Sequence, residues 1–318
     1  MDIFDYKAIK PMLISEMTEP FDSTEHIYEL KLDGIRCIAY LDAAGTELRN
    51  KRDMRLLPKV PELGEIHKAA RNRCILDGEL IVLKNGSPDF FEVQKRALLS
   101  DPFKIQLAKS KYPASFVAFD ILYLTDHQVN ELPLLERKQL LNEVIAENER
   151  LAISRFIETQ GISLFQLAKE KNLEGIVAKK KESKYWFDKR TKDWIKCKIM
   201  ASDDCVICGY SIKDNQWVSL ALGQYDGGVL VYKGHVTLGV SIRALEQRKY
   251  TAITESPFGY IPKGNENTIW LKPELVGIVE SMPSEKDSFR QPVFKGFRDD
   301  KAPMDCTVRK EAKDFSMY

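Results

Sequence analysis

The chain contains no apolar run long enough to span a bilayer and no basic-then-apolar N-terminal pattern. A membrane-spanning helix and a secretory leader are therefore excluded as readings, and a cytoplasmic protein is the expectation. An excess of charge of one sign is missing too. Lys and Arg total 48 against 47 Asp and Glu, a net charge of +1 over 318 residues. Bulk charge therefore announces no nucleic-acid partner, and any such surface must come from local clustering. Cysteine is sparse: of six, only Cys205 and Cys208 stand at metal-binding spacing. No second cysteine pair and no nearby histidine pair completes a zinc site, so this stretch reads better as a strand. Internal repeats and low-complexity tracts are absent as well. What is present, 44% hydrophobic and 30% charged residues, is ordinary for a globular protein, and the length suggests about two domains.

The densest chemical pattern is Glu29-Leu30-Lys31-Leu32-Asp33-Gly34-Ile35-Arg36. Apolar alternation marks 26–31 and 35–41 as strands, with Asp33-Gly34 as a tight hairpin turn between them. A Lys on the approach and an Arg on the exit can converge on one anion. A nucleophilic lysine must lose its proton, which needs desolvation or a neighbouring cation to lower a pKa of about 10.4. Arg36 is placed to supply that cation and to hold a ligand group.

Further along, 61–71 reads as a helix and 74–83 as a strong strand. The strand contains Asp77-Gly78-Glu79. Two carboxylates in an apolar strand are costly to bury unpaired, and a cation or ribose ligand is favoured over solvated acids at a bulge. Residues 88–100 read as a helix and 115–124 as a strand with Phe119 and Asp120 at its middle. Helices follow from Pro133 and over 163–172, and Glu174-Gly175 opens another strand. Lysines at 179–181 and the basic stretch 184–192 are interleaved with Tyr185, Trp186 and Phe187, a mixture that suits a phosphate backbone. Lys196 and Lys198 share one face of a strand by period two, and they repel unless an anion lies between them. Ala201-Ser202-Asp203-Asp204 marks a linker. Beyond it, short strands at 205–212, 217–225, 228–235, 268–271 and 276–282, turns at 213–215 and 226–228, and a helix near 242–251 suggest a small OB-fold barrel. Residues 308–318 read as a tail.

Taken in order, these stretches resemble the motif set of ATP-dependent DNA ligases, including the ligase module of bacterial LigD-type end-joining enzymes. Lys31 to Arg36 resembles the first motif, K-x-D-G-x-R. Leu48-Arg49-Asn50 is similar to the arginine motif, although Leu48 stands where Ser or Thr is usual. Asp77-Gly78-Glu79, Phe119-Asp120, Glu174-Gly175, the Lys196/Lys198 pair and Arg298-Asp299-Asp300-Lys301 follow in the family's order.

The resemblance implies an α+β fold. A nucleotidyltransferase (adenylation) domain with antiparallel sheets and flanking helices, 1–201, is followed by an OB-fold domain, 202–318, with a hinge near 201–204. It implies sealing of 5′-phosphate/3′-hydroxyl nicks through a covalent AMP on Lys31. Lys31, Arg36, Lys196, Lys198, Arg298 and Lys301 are then catalytic. Glu29 accepts from the adenine amino group, Phe119 stacks on adenine, and Arg36 contacts the ribose or the 5′-phosphate. Arg49 holds the nick, Lys196 and Lys198 contact the α-phosphate, and Glu79 and Glu174 hold Mg²⁺, with Mn²⁺ as the alternative. Arg298 and Lys301 orient pyrophosphate when the second domain closes. The implied partner is nicked duplex DNA, with a Ku-like end-binding protein and a separate polymerase as candidates. The implied setting is a monomer in the nucleoid-bearing cytoplasm with no membrane partner. A capping guanylyltransferase, an RNA ligase and a non-catalytic OB-fold binding protein are the competing readings.

Overall fold

The computed structural model of the protein describes residues 2–213, 217–237, 239–282 and 288–308. The chain divides into two compact units, Met1–Lys198 and Ile199–Tyr318. The first opens with α1 (Ile3–Tyr6), β1 (Leu13–Met17), β2 (His26–Leu30), β3 (Ile35–Asp42) and β4 (Gly45–Asn50). Next come β5 (Cys74–Lys84), β6 (Ser87–Pro88), α2 (Phe90–Leu98) and α3 (Pro102–Lys111). They are followed by β7 (Ala114–Leu124), β8 (His127–Gln128), α4 (Leu134–Val144), β9 (Leu151–Ile153) and β10 (Phe156–Glu158). The unit ends with α5 (Gly161–Glu170), β11 (Gly175–Lys180) and β12 (Arg190–Lys198).

These strands form two sheets. One runs β4-β3-β5-β7-β8, with β6 on β5 and β9 on β7; the other runs β1-β12-β11-β2-β10. Pairing is antiparallel apart from β1 with β12 and β7 with β9. Alternation along β3 separates two cores. Cys37, Ala39 and Leu41 pack against Val93 of α2 and Leu141 and Val144 of α4. Ile38 and Tyr40 pack with Ile27, Tyr185 and Trp194, which joins the two sheets.

Several sequence expectations change here. Asp33-Gly34 is not a hairpin turn, because β2 and β3 lie in different sheets and the segment crosses between them. The glycine answers to close approach: a Cβ at Gly34 would stand 2.3 Å from the Leu80 carbonyl and 2.8 Å from Glu79 Cγ. The helix expected over 61–71 is instead two pieces of 3-10 helix, Pro61–Leu63 and Ile66–Ala69, interrupted at Gly64. Proline and glycine deny an α-helix its continuous hydrogen bonds there. Tyr185, expected in a phosphate-binding stretch, is fully buried, and Trp186 and Phe187 pack against the same core. Helix α3 went unnoticed in the sequence.

The second unit contains β13 (Ala201–Lys213), β14 (Trp217–Asp226), β15 (Val229–Val236), α6 (Ile242–Glu246), β16 (Ala252–Ile253), β17 (Ile269–Met282) and β18 (Arg290–Arg298). They form one antiparallel sheet ordered β15-β14-β13-β17-β16, with β18 on β17. Register shifts in β13, β14 and β17 bend it. The supposed linker 201–204 belongs to β13 and pairs with β17, which leaves only Ile199 and Met200 between β12 and β13. The two strands expected at 268–271 and 276–282 are one long strand, and α6 is shorter than expected. Gly227 and Gly228 both have positive φ, 57° and 87°, as the tight turn between β14 and β15 requires. The turn expected at 213–215 lies largely outside the described residues, as does the tail beyond 308. Cys205 and Cys208 are buried in different core clusters, so they do not converge on one ion. Among the described residues no helix is long and apolar enough to cross a membrane.

Candidate functional site

Between the two sheets of the first unit lies a cleft lined by Glu29, Lys31, Arg36, Glu79, Phe119, Lys179 and Trp194 among others. Strand alternation assembles it. Val177 pairs with both Glu29 and Lys196, and Lys179 pairs with Trp194, so these side chains share one face of their sheet. In the facing sheet Arg36 pairs with Glu79 and Ile38 with Asp77, which sets Arg36 and both acids on one face. Phe119 enters through a bulge. Asp77 pairs with Asp120 and Gly78 with Ala118, leaving Phe119 as the extra residue of β7 and re-aiming its ring.

Lys31 Nζ donates to Glu174 Oε2 at 2.7 Å, and Glu174 Oε1 is 3.2 Å from Lys198 Nζ. One nearly buried carboxylate thus serves two ammonium groups. Burial, then the charges of Lys198 and Lys31, holds the Lys196 ammonium below its usual pKa. Gly175, at φ +136°, makes the crowding possible, since a Cβ there would meet the Cys197 carbonyl at 2.1 Å. A second recess is also lined by Lys31, with Asp33, Pro88, Asn172 and Glu174. The amine therefore borders two spaces.

Arg36 and Lys31 hydrogen-bond to different carboxylates. Arg36 donates to Asp77 through Nε at 2.7 Å and Nη2 at 2.5 Å, and Tyr185 adds a 2.6 Å hydrogen bond to the same carboxylate. The guanidinium lies 4.8 Å from the Phe119 ring centre. Asp77 and Glu79, two residues apart, have opposite surroundings. Asp77 is fully buried and paired, whereas burial, opposed by Lys31 and Arg36 and reinforced by Asp77 and Glu174, pushes the Glu79 carboxyl up to about 8.

At the other end of the cleft Glu29 accepts from Ser154 Oγ at 2.7 Å. Its Oε1 lies 2.5 Å from Lys138 Nζ and 3.0 Å from Lys179 Nζ. These are ion-pair distances without good hydrogen-bond geometry. Burial raises the Glu29 carboxyl, but the two lysines outweigh it and hold it below the usual range. Burial brings Lys179 down to about 8, against the pull of Glu29. Its ammonium stands 4.4 Å from the Phe119 ring centre and 4.0 Å from that of Trp194. Sequence reasoning missed Lys138 and Trp194, and it placed Lys179 in a basic stretch suited to a phosphate backbone, whereas the side chain is buried against the cleft. The signal for Lys179 was its period-two relation to Gly175 and Val177.

Arg49 does not line the cleft; it pairs with Glu47 at 2.5 Å and Asp53 at 2.7 Å. Arg298 and Lys301 belong to the second unit, where Asp204 holds both. Chemically, the cleft offers an amine among fixed cations, suited to attack at phosphorus. It also offers aromatic faces beside a carboxylate and an ammonium, suited to a heterocyclic base.

A family model described as "ATP dependent DNA ligase domain" matches residues 8–198, and one described as "ATP dependent DNA ligase C terminal region" matches residues 213–301. The chain is 28% identical over 294 residues to the SPbeta prophage-derived DNA ligase-like protein LigB of Bacillus subtilis, covering 91% of this chain and 99% of that protein. It is 27% identical over 315 residues to the multifunctional non-homologous end joining DNA repair protein LigD of Mycobacterium tuberculosis. That match covers 95% of this chain but only 40% of LigD. Among solved structures, mycobacterial DNA ligase D complexed with ATP and MES superposes with a TM-score of 0.57 at 25% identity, covering 96% of this chain and 99% of that one.

Proposed function

Because the chain belongs to the ATP-dependent DNA ligase family, we propose that Lys31 is the residue its ligase chemistry runs through and that the cleft around it is the ATP site. The fold is α+β, a nucleotidyltransferase domain followed by an OB-fold domain. The reaction is the family's ATP-dependent sealing of nicks through a lysyl-AMP. In this reading Lys31 Nζ forms a bond to the α-phosphorus as pyrophosphate leaves. The AMP then passes to a DNA 5′-phosphate, and the 3′-hydroxyl displaces it. Before it attacks, the amine must shed a proton; in the free protein it donates to Glu174 Oε2 at 2.7 Å. Lys196 and Lys198 meet the charge that gathers on the α-phosphate. Arg36, held by Asp77, faces the ribose or the 5′-phosphate, and Phe119 takes the base face. Glu29 and Lys179 set an acceptor beside a donor, which complements the N6 amino group and N1 of adenine. Guanine presents the reverse order, so the pair favours ATP.

Glu79 and Glu174 are the residues that would hold Mg²⁺, with Mn²⁺ as the alternative. The fit lies in the donor set: two carboxylates close enough that Glu174 helps raise the Glu79 pKa, facing a site for phosphate oxygens. A hard cation that keeps several waters suits them, because no cluster of three acidic, histidine or cysteine ligands occurs among the described residues. When bound, such an ion neutralises phosphate charge. Arg49 is assigned to the nick. Arg298 and Lys301 serve the leaving pyrophosphate when the second unit closes, and Ile199 and Met200 are the residues available to absorb that motion. The biological setting we infer is repair by end joining, with a Ku-like protein and a separate polymerase as partners.

The observation that supports this best is the convergence of Lys31, Glu29, Arg36, Glu79, Phe119 and Lys179 on one cleft from two sheets. The test is incubation with α-labelled ATP and Mg²⁺ followed by denaturing electrophoresis and intact mass. Wild type should gain one AMP and seal a nicked duplex, and Lys31→Ala should do neither. Labelling by GTP in place of ATP, or label retained by Lys31→Ala, would overturn the reading.

A further inference from the structure

The second unit carries an ion cluster whose centre is not one of the family-like motif residues. Asp204 stands near the start of β13, where it pairs with Ile278 of β17, and β17 in turn pairs with β18. Arg298 ends β18, and Lys301 follows three residues later. Arg298 Nη1 donates to both Asp204 oxygens, at 3.1 and 2.9 Å, and Lys301 Nζ donates to Asp204 Oδ2 at 2.6 Å. Arg298 also grips Asp300 through Nε at 2.8 Å and Nη2 at 3.0 Å. Asp204 is the least exposed member, its side chain 17% accessible against 35% for Arg298 and 27% for Lys301. Burial raises the Asp204 carboxyl, but its bonds to Lys301 and Arg298 outweigh this and hold it below the usual range.

The geometry points to Asp204 as a positioning residue that holds Arg298 and Lys301 in the arrangement receiving the departing pyrophosphate. This rests on the reading that those two cations serve nucleotide transfer. Asp204 itself touches no substrate. Two long cationic side chains left alone repel each other and sample many rotamers, and ordering them as an anion arrives costs rate. One carboxylate between them removes both problems in advance. It does so without consuming their donors. A guanidinium has five N–H groups and an ammonium three. The contacts above leave at least one free on Arg298 and two on Lys301. A restraining latch is the opposite assignment, and the free donors argue against it.

The experiment uses the full chain as Asp204→Asn, Asp204→Glu, Arg298→Ala and Lys301→Ala beside wild type. Three quantities are read: the rate of AMP labelling as a function of ATP, thermal midpoint, and sealing of a nicked duplex that already carries a 5′-adenylate, without ATP. Asp204→Asn should slow labelling by about ten- to a hundredfold, mainly in kcat. Asp204→Glu should recover part of that, and sealing of the pre-adenylated nick should stay within about twofold of wild type. Labelling at the wild-type rate in Asp204→Asn, while Arg298→Ala and Lys301→Ala lose it, would overturn the proposal and leave the role of the two cations standing. Faster labelling in Asp204→Asn would make Asp204 a latch and overturn it too. Equal losses in labelling and sealing would reduce Asp204 to a structural residue. Wild-type labelling in Arg298→Ala and Lys301→Ala would instead sink the underlying reading.

Discussion

Asp77 and Glu79 lie two residues apart on β5, and neutralising each should have very unequal consequences. Asp77 is fully buried and takes two hydrogen bonds from Arg36 and one from Tyr185. Asp77→Asn keeps the shape but leaves the Arg36 guanidinium without its counter-charge. Breaking a buried pair from one side costs roughly 3–5 kcal/mol. The Arg36 side chain is 20% exposed, so water compensates in part and the low end, about 3 kcal/mol, applies. For a unit of this size each kcal/mol shifts the midpoint by roughly 2–4 °C, so the loss should be about 6–12 °C. Glu79→Gln should cost little at pH 7, because a carboxyl pushed up to about 8 is already mostly protonated there. The assay is calorimetry or circular dichroism on nucleotide-free protein with a chelator present. A double-mutant cycle with Arg36→Met should assign most of the Asp77→Asn loss to that pair. A midpoint for Asp77→Asn within about 2 °C of wild type, with a larger fall in Glu79→Gln, would refute the division of roles.

Phe119→Ala removes the base-stacking face and should raise the KM for ATP in the labelling reaction about tenfold, since base–aromatic stacking is worth roughly 1–3 kcal/mol. Gly34→Ala drives a methyl to 2.3 Å from the Leu80 carbonyl, so AMP labelling should fall at least about tenfold even where thermal melting shows the chain still folded. Lys179 titrates near 8 in the folded protein and at its ordinary 10.5 when unfolded, so the folded state gives up this proton first. Its contribution to stability therefore rises with pH between those values. The midpoint difference between wild type and Lys179→Met should grow in favour of wild type across that window, as read by melts at pH 7.5, 9 and 10.

The strands that carry the site were legible because burial on one or both faces writes apolar runs and alternation into β5, β7 and β11. Their pairing was not. Asp33-Gly34 has the chemistry of a hairpin turn, and nothing local distinguishes a hairpin from a crossing between sheets. Only the crowding against Leu80 and Glu79 tells what the glycine is for. Tyr185, Trp186 and Phe187 misled for a related reason. Lysines flank them, but the aromatic rings turn inward and the charges outward, and a sequence does not record direction. The bulge that aims Phe119 was equally hidden, because it exists only in the register between two distant strands. The roles of Lys179 and Asp204 escaped because each matters through partners far away in the chain.

Those partners follow one pattern. Glu174 lies between Lys31 and Lys198, Glu29 between Lys138 and Lys179, and Asp204 between Arg298 and Lys301. In each case one carboxylate serves two cations, although Arg298 also holds Asp300, and burial together with the charges of Lys198 and Lys31 holds the neighbouring Lys196 ammonium below its usual pKa. Arg36, by contrast, is matched one to one by Asp77. The crowded ammonium groups of Lys31, Lys196 and Lys198 repel one another in the free protein, and a polyphosphate would relieve that cost on binding. The nucleotide should therefore stabilise the protein by more than its base contacts alone. Inorganic pyrophosphate, which has no base, should itself raise the melting midpoint, and added salt should weaken that rise. If adenosine stabilises as well as ATP while pyrophosphate does nothing, that repulsion is not what the nucleotide relieves and the trios are scaffold.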